Sequence, residues 1–384
     1  MATHRRSTMR LWRIAALLTT LTAALLAATG CGSSNNSSGG SSSQASGDVT
    51  AGLAKAEAVV KQASARPSTI GLTKAIGNPV PPGKKLAFIS CGVEACNVQG
   101  KIIAQGAKDL GWTASTIATD GSPEKLQGAF ETAMRNGADA VILNAVNRAA
   151  VAKQIAEAKQ KGVAFVTCCS TEPTGNGILY NTSTSQQNGA IGQDLAAQVI
   201  ADTKGKADTL YVNISAFEIL KNLGTSFQQS YKAYCPACDI ASIDIPLTSL
   251  GKDAPDRIVS YLRSHPKVNY VVLSVSDALG TGLPAALQAA GLGGKVKIVG
   301  QGGGTQIFQY ISGGQVQSIV PFDYYAVDYL MLDALARHFA GAPIQQNVAP
   351  PRWLMTKSGL PSTSDLFPVV ADYRNQFLKL WGKS

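Results

Sequence analysis

The chain has 384 residues, enough for two domains of ordinary size, and 45% of them are apolar, as in soluble proteins with a large core. Its formal net charge is +10, but residues 1–30 carry four arginines and no acid. The remaining +6 is too scattered to indicate a nucleic-acid surface, so we expect a globular protein that does not bind nucleic acid.

The first 30 residues are predicted to be an export signal. A basic segment precedes about 15 apolar residues, fewer than a membrane-spanning helix needs. The stretch "ATGC" resembles the bacterial lipobox, with Ala28 where that motif usually has Leu, and makes Cys31 the predicted site of lipid attachment. A plain secretory signal is the alternative. Residues 31–47 are rich in Gly and Ser and predict a flexible tether to the outer face of the cell membrane.

Residues 48–82 predict a helix and a Pro-containing lead-in, after which apolar strands alternate with amphipathic helices. The pattern runs from Lys85 to Cys169 and then starts again. Predicted strands cover 85–90, 113–119, 138–144, 163–169, 177–184, 207–215, 239–246, 268–276 and 296–303. Predicted helices cover 97–112, 122–137, 147–162, 185–205, 217–234, 254–266, 277–291 and 323–341. This alternation indicates an α/β fold with two parallel sheets, each covered on both faces.

The candidate site follows from this topology. In an open doubly wound sheet, ligands bind beyond the carboxyl ends of the strands. Two such sheets facing each other would enclose a cleft. We therefore expect ligand-binding residues in the loops that follow the strands, namely 90–99, 144–148, 168–174, 214–221, 275–279 and 301–305.

Five stretches carry a family resemblance, in order along the chain: "GKKLAFIS…QGAKDLGW", "GADAVILNAVNRAAVAKQIAEAKQKGVAFVT", "GTSFQQSYKAY", "VNYVVLSVSDALGTGLPAALQAAG" and "VKIVGQGG". Together they resemble the type I periplasmic solute-binding proteins of ABC transporters, particularly the sugar binders. The resemblance implies two Rossmann-like lobes. The first is formed by residues 83–184 and 322–350, and the second by residues 185–321 and 351–384. It places the hinge crossings near 183–186, 320–323 and 348–352.

The resemblance also implies a function. Such a protein captures a small molecule between its lobes and delivers it to an ABC permease and ATPase. We expect a monomer with no cofactor and no enzymatic activity. A hydrolase in particular is disfavoured, because His265 and His338 cannot complete a Ser–His–acid set. A sensory receptor of the same fold and an extracellular thiol–disulfide protein are the alternatives.

The expected ligand-binding residues depart from the sugar binders. They are Cys91, Glu94, Asn97, Asn144, Cys169, Ser170, Leu223, Ser276, Asp277, Gln301, Phe322 and Asp323. Cys169 and Ser170 stand where ribose-type proteins have an Asp–Arg pair, and Leu223 stands where an Arg is expected. Because buried ligand hydroxyls need hydrogen-bond partners, we expect a ligand less hydroxylated than a sugar. The alternative is a sugar site rebuilt from Glu94, Asn97, Asn147, Arg148 and Asp277.

The six cysteines after Cys31 form three close pairs, which favours disulfides in an oxidising compartment. We predict bonds Cys91–Cys96 and Cys235–Cys238. The latter C-x-x-C follows a helix and precedes a strand, which favours a turn-stapling bond over a thioredoxin-like redox site. For Cys168 and Cys169, a vicinal disulfide, two free thiols and cross-pairing with the first pair remain open. No ligand spacing predicts a metal site.

Overall fold

The computed structural model describes residues 41–90 and 94–383, with the side chains of residues 41–49 and Glu94 left out of the description. The predicted signal, Cys31, most of the tether and Cys91 therefore lie outside the described residues. From Gln44 onward the chain folds as one unit. This unit contains two α/β lobes, each with a mostly parallel sheet flanked by helices, which confirms the predicted fold class.

The first lobe is built on a parallel sheet of five strands in the order β2-β1-β3-β4-β5. The strands are β1 (Lys85–Ile89), β2 (Thr113–Ile117), β3 (Ala140–Leu143), β4 (Ala164–Cys168) and β5 (Tyr180–Thr182). Its helices are α2 (Glu94–Asp109), α3 (Pro123–Arg135), α4 (Ala152–Gln160), α11 (Tyr324–Phe339) and α12 (Tyr373–Leu380). Strands β1, β3 and β4 are almost entirely buried, as their continuous apolar runs predict.

The second lobe has six strands in the order β11-β10-β9-β8-β6-β7, parallel except for the last short strand β11. These are β6 (Asp208–Asn213), β7 (Asp239–Asp244), β8 (Tyr270–Leu273), β9 (Lys297–Gln301), β10 (Ser318–Val320) and β11 (Met355–Thr356). The helices are α1 (Ser41–Ala63), α5 (Ser185–Thr203), α6 (Glu218–Tyr234), α7 (Ala254–Ser264), α8 (Ser276–Gly280), α9 (Leu283–Ala289) and α10 (Thr305–Ser312).

Both sheets reverse their strand order at the first strand of the lobe. Strand β1 lies between β2 and β3, and β6 lies between β7 and β8. A reversal of this kind opens a crevice at the carboxyl end of the strand where it occurs. The chain leaves β1 toward α2 and leaves β6 toward α6, so both loops begin at such a crevice.

In the described residues, the chain passes between the lobes at three places between β5 and β11 and at two more near its ends. It leaves the first sheet through Ser183 and Thr184, returns through 321–323 and crosses again between α11 and β11. Ser183 adopts a left-handed backbone with φ of 54°, and Asn188 donates hydrogen bonds to its carbonyl at 2.9 Å and its hydroxyl at 3.3 Å. The first crossing is thus held by local polar contacts.

Both ends of the described chain span the two lobes, which corrects the predicted domain limits. Residues 351–384 were assigned to the second lobe, but Phe377 and Trp381 of α12 are buried in the core of the first. Their rings pack on Tyr329 of α11, which explains the placement. At the other end, Ala56 of α1 lies in the core of the second lobe, whereas Ile70 lies in that of the first.

The helix predicted over 277–291 is two helices, α8 and α9. Gly282 between them has a left-handed φ of 83°, and Pro284 follows within the first turn of α9. Glycine tolerates that conformation and proline favours a helix start, so this pair ends one helix and begins the next. In the described part of the chain, no helix combines the length and hydropathy that crossing a bilayer requires.

Candidate functional site

A cavity of about 510 Å³ lies between the carboxyl ends of the two sheets. Residues that follow β1, β3, β4 and β5 form one wall, and residues that follow β6, β8, β9 and β10 form the other. Each of the six loops expected to bind ligand contributes at least one lining residue. The cavity has the size of a typical small-molecule site.

The first-lobe wall presents Gln99, Asn144 and Cys169 to the cavity. Asn144 follows β3, and its Oδ1 accepts a hydrogen bond from the Cys168 backbone at 3.2 Å. Its Nδ2 is buried without a partner among the described residues. Gln99, on α2, donates from Nε2 to Asp328 Oδ1 at 2.9 Å. A donor on Asn144 therefore remains available at this wall.

The second-lobe wall presents Asp277 and the run Gln301 to Gly304. Asp277 lies in the first turn of α8, and its Oδ1 is buried without a hydrogen-bond partner in the residues described. A Cβ at Gly302 would lie 3.0 Å from that oxygen, and its φ of 85° also favours glycine. The glycine-rich turn thus lets the backbone approach the carboxylate closely.

Aromatic rings complete the cavity where the chain returns to the first lobe. Phe322 and Tyr324 pack edge to face with ring centroids 4.8 Å apart, and Phe217 lines the cavity from the loop after β6. The Tyr324 hydroxyl donates to Asp277 Oδ2 over 3.5 Å, a long and weak contact. Three aromatic side chains from separate elements therefore line the cavity.

One carboxyl group, Asp277, lines the cavity in the described chain, and a second, Asp328, is buried behind Gln99. Burial raises the pKa of Asp277 to about 6, with smaller opposing contributions from hydrogen bonds. Burial also raises the pKa of Asp328, behind Gln99, well above its ordinary value. Among the described lining residues there is no Lys, Arg or His. Asp277 is therefore the one carboxyl group among the described lining residues, and it has no cationic partner there.

The mouth of the cavity carries polar contacts between the lobes. Glu218, at the start of α6, accepts hydrogen bonds from Asn147 Nδ2 at 3.5 Å and Thr171 Oγ1 at 3.4 Å. Arg148 instead pairs with Glu172 at 3.2 Å and donates to the Pro173 carbonyl at 2.9 Å, both in its own lobe. Neither Asn147 nor Arg148 is among the described lining residues.

The structure brings together five of the predicted residues and separates others. Asn144, Cys169, Asp277, Gln301 and Phe322 line the cavity. The described side chains outside it are Asn97, Ser170, Leu223, Ser276 and Asp323. Cys91 and the Glu94 side chain lie outside the description.

Local packing explains why these five residues leave the cavity. Asn97 is exposed on α2, and Leu223 is fully buried in the second-lobe core through the apolar face of α6. Ser170 donates to the Val146 carbonyl at 3.1 Å. Asp323 caps α11, accepting from the Ala326 amide at 3.1 Å. Their roles in ligand binding stay predictions. Ser276 is buried beside Asp277, with its hydroxyl outside the lining.

Sequence reasoning missed Gln99, Phe217 and Tyr324 as lining residues. Gln99 and Phe217 fall within the loops that were expected to bind ligand. Gln99, however, lies on α2, which starts earlier than predicted. Tyr324 opens α11 directly after the second hinge passage. An aromatic pair at the end of β10 was the available signal.

The cysteines occupy three different environments. Cys235 and Cys238 form a disulfide, and both are buried between α6 and β7. Cys96 is disulfide-bonded, whereas Cys91 lies outside the described residues. Cys168 and Cys169 are free thiols in the described chain, the first fully buried and the second half-buried on the cavity wall. Cys169 has a left-handed φ of 59°, a strained conformation for a non-glycine residue.

The architecture defines a two-lobed α/β binding protein with its cavity at the strand ends. The model of the periplasmic binding protein domain family matches residues 96–343. The chain belongs to this family.

Solved structures share the fold at low sequence identity. A 5-methylthioribose transporter solute-binding protein from Thermotoga lettingae is 20% identical, with a TM-score of 0.67 over 81% of this chain and 100% of that one. A glucose-galactose binding protein from Geobacillus stearothermophilus is 18% identical, with a TM-score of 0.64 over 73% of this chain and 100% of that one. A carbohydrate transporter from Acidothermus cellulolyticus, in complex with myo-inositol, is 16% identical, with a TM-score of 0.60 over 78% and 100% of the two chains.

Proposed function

We propose that this protein is an extracytoplasmic solute-binding protein that captures a small molecule between its lobes and delivers it to the permease and ATPase of an ABC importer. The observation that carries the proposal is the cavity between the carboxyl ends of the two sheets, lined from both lobes. Family membership and the neighbours described as transporter binding proteins support it. Lipid attachment at Cys31 would hold the body beside such a permease.

The ligand we propose is less hydroxylated than a common sugar. Most of the lining is apolar, with Ile214, Phe217, Ile219, Leu220 and Val275 on the second-lobe side alone. A sugar hydroxyl buried there without a partner would cost about 1–3 kcal/mol. Eight polar side chains stand among the described lining residues, so the proposed ligand has an apolar body and a limited number of polar groups.

A thermal-shift screen of the intact protein in detergent tests this proposal. The panel comprises pentoses, hexoses, polyols, amino acids, small amines and apolar alcohols. We expect a rise in Tm for a sparsely hydroxylated compound, with saturable binding by calorimetry and no chemical change of the compound. Strong stabilisation by a simple pentose or hexose would contradict the ligand chemistry, and the absence of any saturable ligand would count against the binding function itself.

Delivery to an importer requires a separate experiment. Deleting the gene from its host should abolish uptake of the radiolabelled ligand, and the intact chain should restore it. A Cys31→Ser variant should restore less uptake, because the unanchored protein is diluted away from the membrane. Normal uptake in the deletion strain would contradict the transport role.

A further inference from the structure

The carboxylate of Asp277 lacks a strong partner in the protein. Its Oδ1 is buried without a hydrogen bond to any described residue, and its Oδ2 has the 3.5 Å contact with Tyr324. A buried carboxylate normally has a charged or hydrogen-bonding partner, because removing it from water is costly. Asp277 must therefore either pair with a ligand group in the cavity or take up a proton.

The surroundings do not supply a compensating positive charge. No basic side chain stands among the cavity-lining residues that the structure describes. Behind the opposite wall, Asp328 accepts from Gln99, and its Oδ2 is also buried without a partner in the described chain. Asp328 is not itself a lining residue, so Asp277 is the carboxyl group that faces the cavity among the described residues.

The remaining surface suits a cation that carries apolar groups. Phe217, Phe322 and Tyr324 contribute rings to the lining, and aliphatic side chains cover much of the rest. Ring faces attract alkylated ammonium groups, whose hydration is weak, more than they attract neutral groups of the same shape. A neutral hydroxylated ligand can donate a hydrogen bond to Asp277 but cannot pair its negative charge.

We propose that the cavity binds a small cationic molecule, an amine or quaternary ammonium with an apolar body, whose charged nitrogen pairs with Asp277. The proposal rests on the cavity being the ligand site. It assigns to Asp277 the selection of charge and to the aromatic and aliphatic walls the selection of size.

Matched pairs of probes test the charge directly by calorimetric titration of the intact protein. Choline and 3,3-dimethylbutan-1-ol have the same shape but differ in charge. Phenethylamine and 2-phenylethanol have nearly the same shape and also differ in charge. We expect at least one cation to bind about tenfold more tightly than its neutral partner. Equal affinities within both pairs, or binding of the neutral members alone, would overturn the proposal.

The variant Asp277→Asn tests the residue. It should abolish the preference for the cation, so that the two members of each pair bind with affinities within about twofold of each other. The control Asp256→Asn makes the same substitution on the exposed surface of α7 in the same lobe and should keep the preference. If Asp277→Asn keeps the preference, the assignment is wrong. If it does not fold, the wild-type pairs still decide the charge.

These outcomes separate the proposal from the binding function. A cleft that binds a neutral sugar and ignores every amine would refute the cationic ligand and keep the solute-binding role. A protein that binds nothing in the full screen would fail on both counts.

Discussion

The adjacent cysteines at the end of β4 have different surroundings. Cys168 is fully buried in the core of the first lobe, and burial raises its thiol pKa well above the ordinary value. Cys169 turns to the cavity through its left-handed backbone. One thiol therefore belongs to packing and the other to the ligand wall.

Replacing each cysteine by serine should separate the two roles. Cys169→Ser should change ligand affinity several-fold with little change in Tm, because the side chain lies on the cavity wall. Cys168→Ser should lower the free energy of unfolding by about 1–3 kcal/mol, since it buries a hydroxyl in an apolar core. Calorimetric titration and chemical denaturation measure the two effects. Unchanged affinity in Cys169→Ser would mean that this thiol only fills space.

The buried acids make stability depend on pH. Burial raises the pKa of Asp277 from 3.8 to about 6, so the folded protein keeps a proton that the unfolded chain has lost. Stability from this group is therefore greatest at low pH and falls as pH rises through about 6. Between about pH 5 and about pH 7.5, the loss from Asp277 should be ~1 kcal/mol.

Asp277→Asn should remove that part of the pH dependence. The free energy of unfolding, measured by urea denaturation at both pH values, should fall less in the variant than in the wild type. Asp256→Asn is the matched control, because its carboxylate is exposed. The same pH slope in wild type and Asp277→Asn would show that this carboxylate titrates normally.

At the scale of elements, α5 and α6 pack closely enough to require glycine at their contact. A Cβ at Gly192 would lie 2.4 Å from the Leu223 carbonyl oxygen and 2.8 Å from the Phe227 nitrogen. Both are backbone atoms, which cannot rotate away as a side chain can. A Cβ at Gly189, one turn earlier, would meet Ser226 at 3.6 Å, an ordinary contact.

Gly192→Ala should therefore destabilise the protein by about 1–3 kcal/mol by forcing the helices apart. Gly189→Ala is the control and should be neutral or slightly stabilising, since alanine favours the helix. Thermal and chemical denaturation measure both. Equal stability of the two variants would mean that the helices separate without cost.

The regular elements were predictable because continuous apolar strands and amphipathic helices have distinct periods. The strand ends were predictable for the same reason, and with them the positions of Asn144, Cys169 and Asp277 on the cavity wall. The break between α8 and α9 could not be predicted from Gly282, because a single glycine is tolerated in many helices. Leu223 was misassigned because alignment by family position ignored the apolar face on which it lies.

At the scale of the whole molecule, segments near the two ends of the described chain meet on the second lobe. The Leu354 amide donates to the Ala63 carbonyl at 2.8 Å, and Arg66 donates to the Val369 carbonyl at 2.9 Å. Arg66 also lies over the Trp353 ring, 5.1 Å from its centroid. These contacts pair segments some 300 residues apart, which no local sequence pattern reveals.

Contacts across the cavity mouth should favour the closed arrangement of the lobes. Glu218 of the second lobe accepts hydrogen bonds from Asn147 and Thr171 of the first, and none of these bonds belongs to the core of either lobe. Removing the acceptor should shift the population toward open states while leaving each lobe folded.

Glu218→Ala should therefore release ligand faster and weaken binding about two- to fivefold, in keeping with exposed hydrogen bonds worth about 0.5–1 kcal/mol. Stopped-flow fluorescence with the ligand found in the screen measures release, and Tm without ligand reports on the fold. Glu124→Ala removes an exposed glutamate from the first turn of α3, away from the mouth, and should change neither quantity. A normal release rate in Glu218→Ala would show that these contacts do not hold the lobes together. A large fall in the Tm of Glu218→Ala would show instead that Glu218 stabilises the second lobe itself. Loss of a contact between the lobes should change the rate of ligand release, whereas loss of packing within a lobe should lower its Tm.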